Sequence, residues 1–139
     1  MRILILNGPN LNLLGTREVS IYGDMSFDEY LQHLRGLFPD DHLTYRQSNL
    51  EGELVTWIQE ARGSADGLII NPGGYAHTSV AIADALAMLT IPKIEVHISQ
   101  LYRRESFRHT MITATQCTGV ITGLGMQGYE LAIRAIQPS

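Results

Sequence analysis

Cysteine and lysine each occur only once in these 139 residues, and each scarcity removes a class of chemistry. A lone Cys117 excludes an intrachain disulfide and leaves no cysteine cluster for a metal, so it reads as a small buried apolar residue suited to a reducing compartment; cytoplasm is the expected location. The single lysine, Lys93, follows Pro92 at the start of a strand, opposite the end where ligands bind in such folds, so an imine-forming mechanism lacks a nucleophile. Chemistry on a ketone would therefore pass through an enolate. Excess positive charge is also missing: the formal net charge is -4, which offers no general attraction to nucleic acid. No apolar run approaches the roughly 20 residues needed to span a bilayer, and Ile3-Leu4-Ile5-Leu6, closed by Asn7-Gly8-Pro9, is short even for a signal-peptide core. It reads as a first strand, and no membrane partner is expected.

What remains is 45% hydrophobic and 17% charged, enough for one globular domain over residues 1–139 with its own core. There is no internal repeat, low-complexity stretch or linker. After the first strand, a long segment from Asn7 to Met25 contains Gly8, Pro9, Gly15 and Gly23; long loops in compact domains are often functional. Ser26-Phe27-Asp28-Glu29 is a capping-box pattern opening a helix through about Leu37, and Pro39 ends it. A strand near Leu43 to Gln47 leads to a second capping-box pattern, Ser48-Asn49-Leu50-Glu51, and a helix carrying Leu54, Val55, Ile58 and Ala61 up to Gly63. Gly67 to Asn71 reads as a strand, Pro72 to Thr78 as a loop, Ser79 to Leu89 as an alanine-rich helix and Lys93 to Ile98 as a strand. A short helix between Arg103 and His109, a strand near Gly119 to Thr122 and a helix from about Gln127 to Ile136 complete the pattern. Such alternation predicts a flavodoxin-like α/β three-layer sandwich: a five-stranded parallel sheet in order 2-1-3-4-5 with helices on both faces.

One strand breaks the rule that central parallel strands are apolar throughout. Ile94, Val96 and Ile98 take one face, and Glu95, His97 and Ser99 the other, because side chains alternate along a strand. In the expected strand order this polar end converges with the segments after the first strand (Asn7 to Tyr22) and the third (Asn71 to His77), forming one small-molecule cleft. Glu95 and His97 could be an orienting carboxylate with an acid–base imidazole, two metal ligands, or a satisfied core pair; the company of Asn71, His77, Ser99 and the Asn10 loop favours catalysis. Metal ligation ranks lower, because no second histidine sits at a metal-motif spacing and the nearby arginines repel a cation.

Asn71-Pro72-Gly73-Gly74-Tyr75-Ala76-His77-Thr78-Ser79 sets two glycines and several donors before a helix N-terminus, where free N–H groups can seat an anion; a plain capped turn is the bland alternative. Arg103, Arg104 and Arg108 default to a solvated basic face. If helical, Arg104 and Arg108 share an i, i+4 face beside the cleft and could clamp a carboxylate. In the long loop, Arg17 could hold Tyr22 as a phenolate, turning a phenol of ordinary pKa about 10 into a usable base. Gly123-Leu124-Gly125-Met126-Gln127-Gly128 matches a dinucleotide fingerprint, but too few residues follow for the acidic ribose partner about 20 positions on, and helix-on-strand packing explains it better.

Taken together, Leu6-Asn7-Gly8-Pro9-Asn10-Leu11-Asn12-Leu13-Leu14-Gly15-Thr16-Arg17-Glu18, Ile21-Tyr22-Gly23, the Asn71 to Ser79 segment and Ile94 to Ser99 closely resemble the type II 3-dehydroquinate dehydratase family, over essentially the whole chain. The resemblance implies a flavodoxin-like fold, no cofactor, no metal and a homo-dodecamer built as a tetramer of trimers. It implies Tyr22 as the base toward 3-dehydroquinate, Arg17 as holder of the phenolate, Asn10 as stabiliser of the enolate, His97 as acid to the departing hydroxyl, and Glu95 as its orienting partner. Asn71, Gly73, His77, Ile98 through its backbone, Ser99 and Arg108 match substrate-holding positions. Arg104 matches an arginine that closes over the site, and Asp84 one that reaches a neighbouring subunit's site. Two residues depart from the family's habit: Val19 stands where proline is common and Pro72 where alanine is. A valine at position 19 leaves the open loop less restricted than a proline would.

Overall fold

A computed structural model of the chain describes residues 1–15 and 25–138. Arg17, Val19 and Tyr22, on which the base assignment and one departure fall, lie outside the described residues. The strands are β1 (Arg2–Asn7), β2 (His42–Gln47), β3 (Gly67–Asn71), β4 (Lys93–His97) and β5 (Gly119–Thr122), all parallel, in the order β2-β1-β3-β4-β5. The helices are α1 (Phe27–Leu37), α2 (Glu51–Glu60), α3 (Val80–Ala87) and α4 (Gln127–Ile136). This is the expected doubly wound arrangement, and its order reverses between β1 and β3.

Strand alternation sorts the core into two layers. Ile3, Ile5, Ile69, Ile94 and Val96 face α1 and α4, while Leu4, Leu6, Leu68 and Ile70 face α2 and α3. Phe27, Tyr30, Leu31 and Leu34 recur at helical spacing on α1 and are all buried, each such side chain adding about 1.5–3 kcal/mol of hydrophobic burial. Ser26 caps α1 by accepting the Glu29 N–H at 3.2 Å, as its pattern predicts. On the same side of the sheet, α4 approaches so closely that a Cβ at Gly128 would stand 3.0 Å from Val96 Cγ1, which bears out the packing reading of the glycine-rich run.

Four local expectations need correction. The capping box at Ser48 does not form: α2 begins after Leu50, while the Ser48 hydroxyl accepts the Leu50 N–H at 2.9 Å and donates to Glu53 at 2.6 Å. The loop after β3 contains a 3-10 turn, Gly73–His77. The helix expected to run to Leu89 stops at Ala87, with Ser79 accepting the Ile82 N–H at its start. The short helix expected between Arg103 and His109 is instead a pair of 3-10 turns, Leu101–Arg103 and Ser106–His109, joined through an extended Arg104. No α-helical face therefore carries Arg104 and Arg108 at i, i+4.

Candidate active site

The carboxyl ends of β1, β3 and β4 open on a cleft of about 310 Å³. Asn7 and Asn71 are register partners at the ends of β1 and β3, so the strand-order reversal places two amides side by side where no helix crosses over the sheet. Among the lining residues are Asn10, Asn71, His77, His97, Arg104 and Arg108. Among the described residues, Gly73, Ile98 and Ser99 complete the set of candidates that line the cleft.

Glu95 and His97 stand on the α3 side of β4, two residues apart and hence on the same face. Glu95 is fully buried and His97 almost so, and His97 Nε2 meets Glu95 Oε2 at 2.6 Å. A carboxylate can only accept, so Nε2–H donates and Nδ1 becomes the ring nitrogen available to a ligand. The second carboxylate oxygen, Oε1, accepts the Thr113 hydroxyl at 2.5 Å. The pair is both buried and, through the imidazole, part of the cleft lining.

His77 stacks near His97, ring centroids 6.1 Å apart. Its Nδ1–H donates to the Thr110 carbonyl at 2.8 Å, so Nε2 carries the lone pair, and that atom is buried without a hydrogen-bond partner among the described residues. Burial holds the His77 pKa below the usual imidazole value; the Thr110 carbonyl opposes this, and His97 and Arg108 add to it. His77 thus presents a neutral acceptor to the cleft.

Asn71 is oriented from both ends of its amide. Oδ1 accepts the Gly73 N–H at 3.1 Å and Nδ2 donates to Tyr129 Oη at 3.1 Å, leaving the second Nδ2 proton for a ligand. Tyr129 is fully buried in α4 and passes its own proton to Asn7 Oδ1 at 2.7 Å, which ties β1, β3 and α4 together beneath the cleft. Burial pushes the Tyr129 phenol far above its ordinary range, so it stays a neutral donor. Sequence reading missed Tyr129 as a site component: at i, i+3, i+4 from Ala132 and Ile133 it reads as core, and nothing local announces where its hydroxyl goes.

The cationic side of the cleft comes from Arg104 and Arg108. Arg104 Nη1 donates to Ser99 Oγ at 3.2 Å, and Arg108 Nε donates to Glu105 Oε2 at 2.5 Å. Although the expected helix is absent, the two guanidinium groups still line the same cleft. The anion seat inferred at the Asn71 to Ser79 turn is largely filled: Asn71 takes the Gly73 N–H, and the Ser79 hydroxyl caps α3 while donating to Glu51 at 2.6 Å. The capped-turn alternative describes those donors better.

Asn10 sits at the cleft mouth in a left-handed conformation, φ 70°, which asparagine tolerates better than most residues. Its N–H donates to Asn49 at 3.0 Å. Gly8 lets this loop pass the β3 turn: a Cβ there would lie 2.4 Å from the Pro72 carbonyl oxygen. Pro72 is buried at that crossing, clear of the cleft lining. Asp84 is exposed on α3 and does not line the cleft. Lys93 is buried at the far end of β4, its Nζ donating to the Leu86 and Leu89 carbonyls at 2.7 Å each. Cys117 is half-buried with its thiol pKa pushed up to about 12, chiefly by burial. Among the described residues, no group of three or more His, Cys, Asp or Glu side chains is arranged to hold a metal ion, and no helix is long and apolar enough to cross a membrane.

Fold and site together define a flavodoxin-like doubly wound α/β protein with a polar, doubly cationic cleft at its switch point. A family profile described as Dehydroquinase class II matches residues 1–137. The 3-dehydroquinate dehydratase of Idiomarina loihiensis is 54% identical over 138 residues, covering 96% of this chain and 90% of that protein. The protein of the same name from Lachnoclostridium phytofermentans is 53% identical over 139 residues, covering 98% and 96%. The crystal structure of type II dehydroquinase from Butyrivibrio crossotus superposes with a TM-score of 0.94 at 45% identity, covering 98% and 97%. The chain belongs to the class II dehydroquinase family.

Proposed function

We propose that this chain converts 3-dehydroquinate to 3-dehydroshikimate by anti elimination of water through an enolate, serving aromatic biosynthesis or quinate breakdown. The observation that carries the reading is the buried Glu95–His97 pair opening on a cleft that also holds Arg104 and Arg108. The imidazole supplies a proton donor and the guanidinium groups suit a carboxylate, the two handles an anionic hydroxy-ketone offers.

In this mechanism Tyr22, ionised beside Arg17, takes the proton from the carbon next to the ketone. Negative charge moves onto the ketone oxygen, where Asn10 stabilises it through a water. The enolate electrons then form the carbon–carbon double bond and expel the hydroxyl, which leaves as water with the Nδ1 proton of His97 in its imidazolium form, and the ring is left neutral with its remaining proton on Nε2. Glu95 keeps Nε2 occupied so that Nδ1 faces the substrate. Arg108, Ser99, Asn71, His77 and the Ile98 backbone hold the carboxylate and ring hydroxyls, Gly73 forms the cleft wall beside them, and Arg104 closes over them. Lys93 is committed to two carbonyls at the other end of β4, which supports a route without an imine. No cofactor takes part.

The proposal extends to assembly and place. The chain forms a tetramer of trimers in the cytoplasm, and Asp84, exposed on α3, reaches a neighbouring subunit's cleft.

The test is direct. Purified, fully assembled protein given 3-dehydroquinate produces the conjugated enone, followed as rising ultraviolet absorbance without added metal or nucleotide. Folded, assembled protein that leaves the absorbance flat overturns the reading.

A further inference from the structure

We infer that Thr113 is a positioning residue for the elimination: its hydroxyl locks the Glu95 carboxylate and thereby fixes which nitrogen of His97 faces the substrate. The inference rests on the function proposed above.

Thr113 lies in the 3-10 turn Thr113–Gln116, outside every strand and helix of the sandwich, and is fully buried. Threonines in such turns ordinarily bond back to their own segment, and Thr115 does so, donating to the Ile112 carbonyl at 2.7 Å. Thr113 instead reaches across to Glu95 Oε1 at 2.5 Å. A glutamate carboxylate rotates over a broad, shallow range about its last torsion, so a single bond to His97 would leave its plane undetermined. With Thr113 on Oε1 and His97 on Oε2, both oxygens of a fully buried carboxylate are pinned and the plane is fixed.

The same segment controls the other histidine. The Thr110 carbonyl takes the His77 Nδ1 proton, and the Ile112 N–H donates to the Ala76 carbonyl at 2.8 Å, holding the His77 turn from behind. Residues 110–113 thus set the tautomer of both stacked imidazoles: proton on Nδ1 in neutral His77, proton on Nε2 in His97. Neither Thr110 nor Thr113 lines the cleft. Their effect on a substrate passes entirely through the two rings.

The experiment compares Thr113→Val, which keeps shape and loses the donor, with Thr113→Ser, which keeps the donor. In the folded valine variant kcat falls about tenfold, the rate equivalent of one hydrogen bond to a charged group, while KM stays within about twofold. Serine restores kcat to within about threefold of the parent. Ring ¹⁵N spectra without substrate show one His97 tautomer in the parent and in Thr113→Ser, and a mixture in Thr113→Val. A valine variant with parental kcat, a serine variant as slow as valine, or unchanged ¹⁵N spectra each overturn the inference. If Thr113→Val does not fold, Thr113→Ala is read by the same criteria. The ¹⁵N arm needs no turnover, so a parent protein inert toward 3-dehydroquinate counts against the proposed reaction and leaves the brace to be judged by its spectra.

Discussion

His97 Nε2 lies 2.6 Å from Glu95 Oε2, with the carboxylate buried beneath the imidazole at the end of β4. Because one ring nitrogen is committed to that carboxylate, the opposite nitrogen is delivered to the cleft in a defined direction. Replacing His97 by Ala is expected to lower kcat by about 10²–10⁴, the usual worth of a positioned acid. Glu95→Gln keeps the shape, yet its amide can present either an oxygen or an NH2 group to the ring; a loss of at least about tenfold in kcat is expected. Steady-state enone formation measures both.

Tyr22→Phe and Arg17→Ala are each expected to cut turnover by about two orders of magnitude or more with unchanged circular dichroism, since in the proposed mechanism the first removes the base and the second the charge that ionises it. A Tyr22→Phe protein that turns over at the parental rate removes the base assignment.

Lys93 has a structural task that a catalytic lysine could not share. In Lys93→Met the stem remains, but the Leu86 and Leu89 carbonyls lose their donor. Urea denaturation is expected to show a loss of about 2–3 kcal/mol, with KM unaltered. Borohydride added during turnover is expected to leave the intact mass of the parent protein unchanged; a stable adduct restores the imine route.

Tyr129→Phe removes the hydroxyl between Asn7 Oδ1 and Asn71 Nδ2, leaving two buried amides partly unsatisfied. The expected result is about 1–3 kcal/mol of lost stability together with a raised KM, because Asn71 is released from its fixed orientation. A KM equal to the parent's would show that Asn71 is held well enough by Gly73 alone.

His77 sets a pH dependence of known sign. Its folded pKa lies below the usual 6.5, chiefly through burial, so the fold binds fewer protons than the unfolded chain between the two values. The stabilising contribution is complete above about pH 6.5 and is lost as pH falls through the lower folded value. Stability of the parent relative to His77→Gln is therefore expected to decline with acidification in that window, as read from denaturation midpoints. A parallel pair of stability curves contradicts it.

Local pattern settled a great deal. Alternation in Ile94 to Ser99 identified both faces of β4, helical spacing at Phe27, Tyr30, Leu31 and Leu34 identified α1, and five strand–helix alternations implied the strand order and hence the end of the sheet where ligands bind. These features are periodic, and a period is written in the chain itself. Arg104 and Arg108 show the limit: their spacing suggested a helix, whereas the chain between β4 and β5 turns in short 3-10 pieces and still brings both guanidinium groups to the cleft. Ser48 shows it again, because a four-residue capping pattern competes with Glu53 for the same hydroxyl.

Only tertiary structure decided where individual donors go. Tyr129 finds Asn7 across 122 positions of sequence and Thr113 finds Glu95 across 18. A hydroxyl's partner depends on which segments the sheet order stacks beside it and on what else is buried there, and neither is a property of the hydroxyl's own neighbours in the chain. The sequence determined that an imidazole, a carboxylate and two guanidinium groups would meet at one end of a parallel sheet; the folded structure determined which nitrogen of that imidazole looks outward.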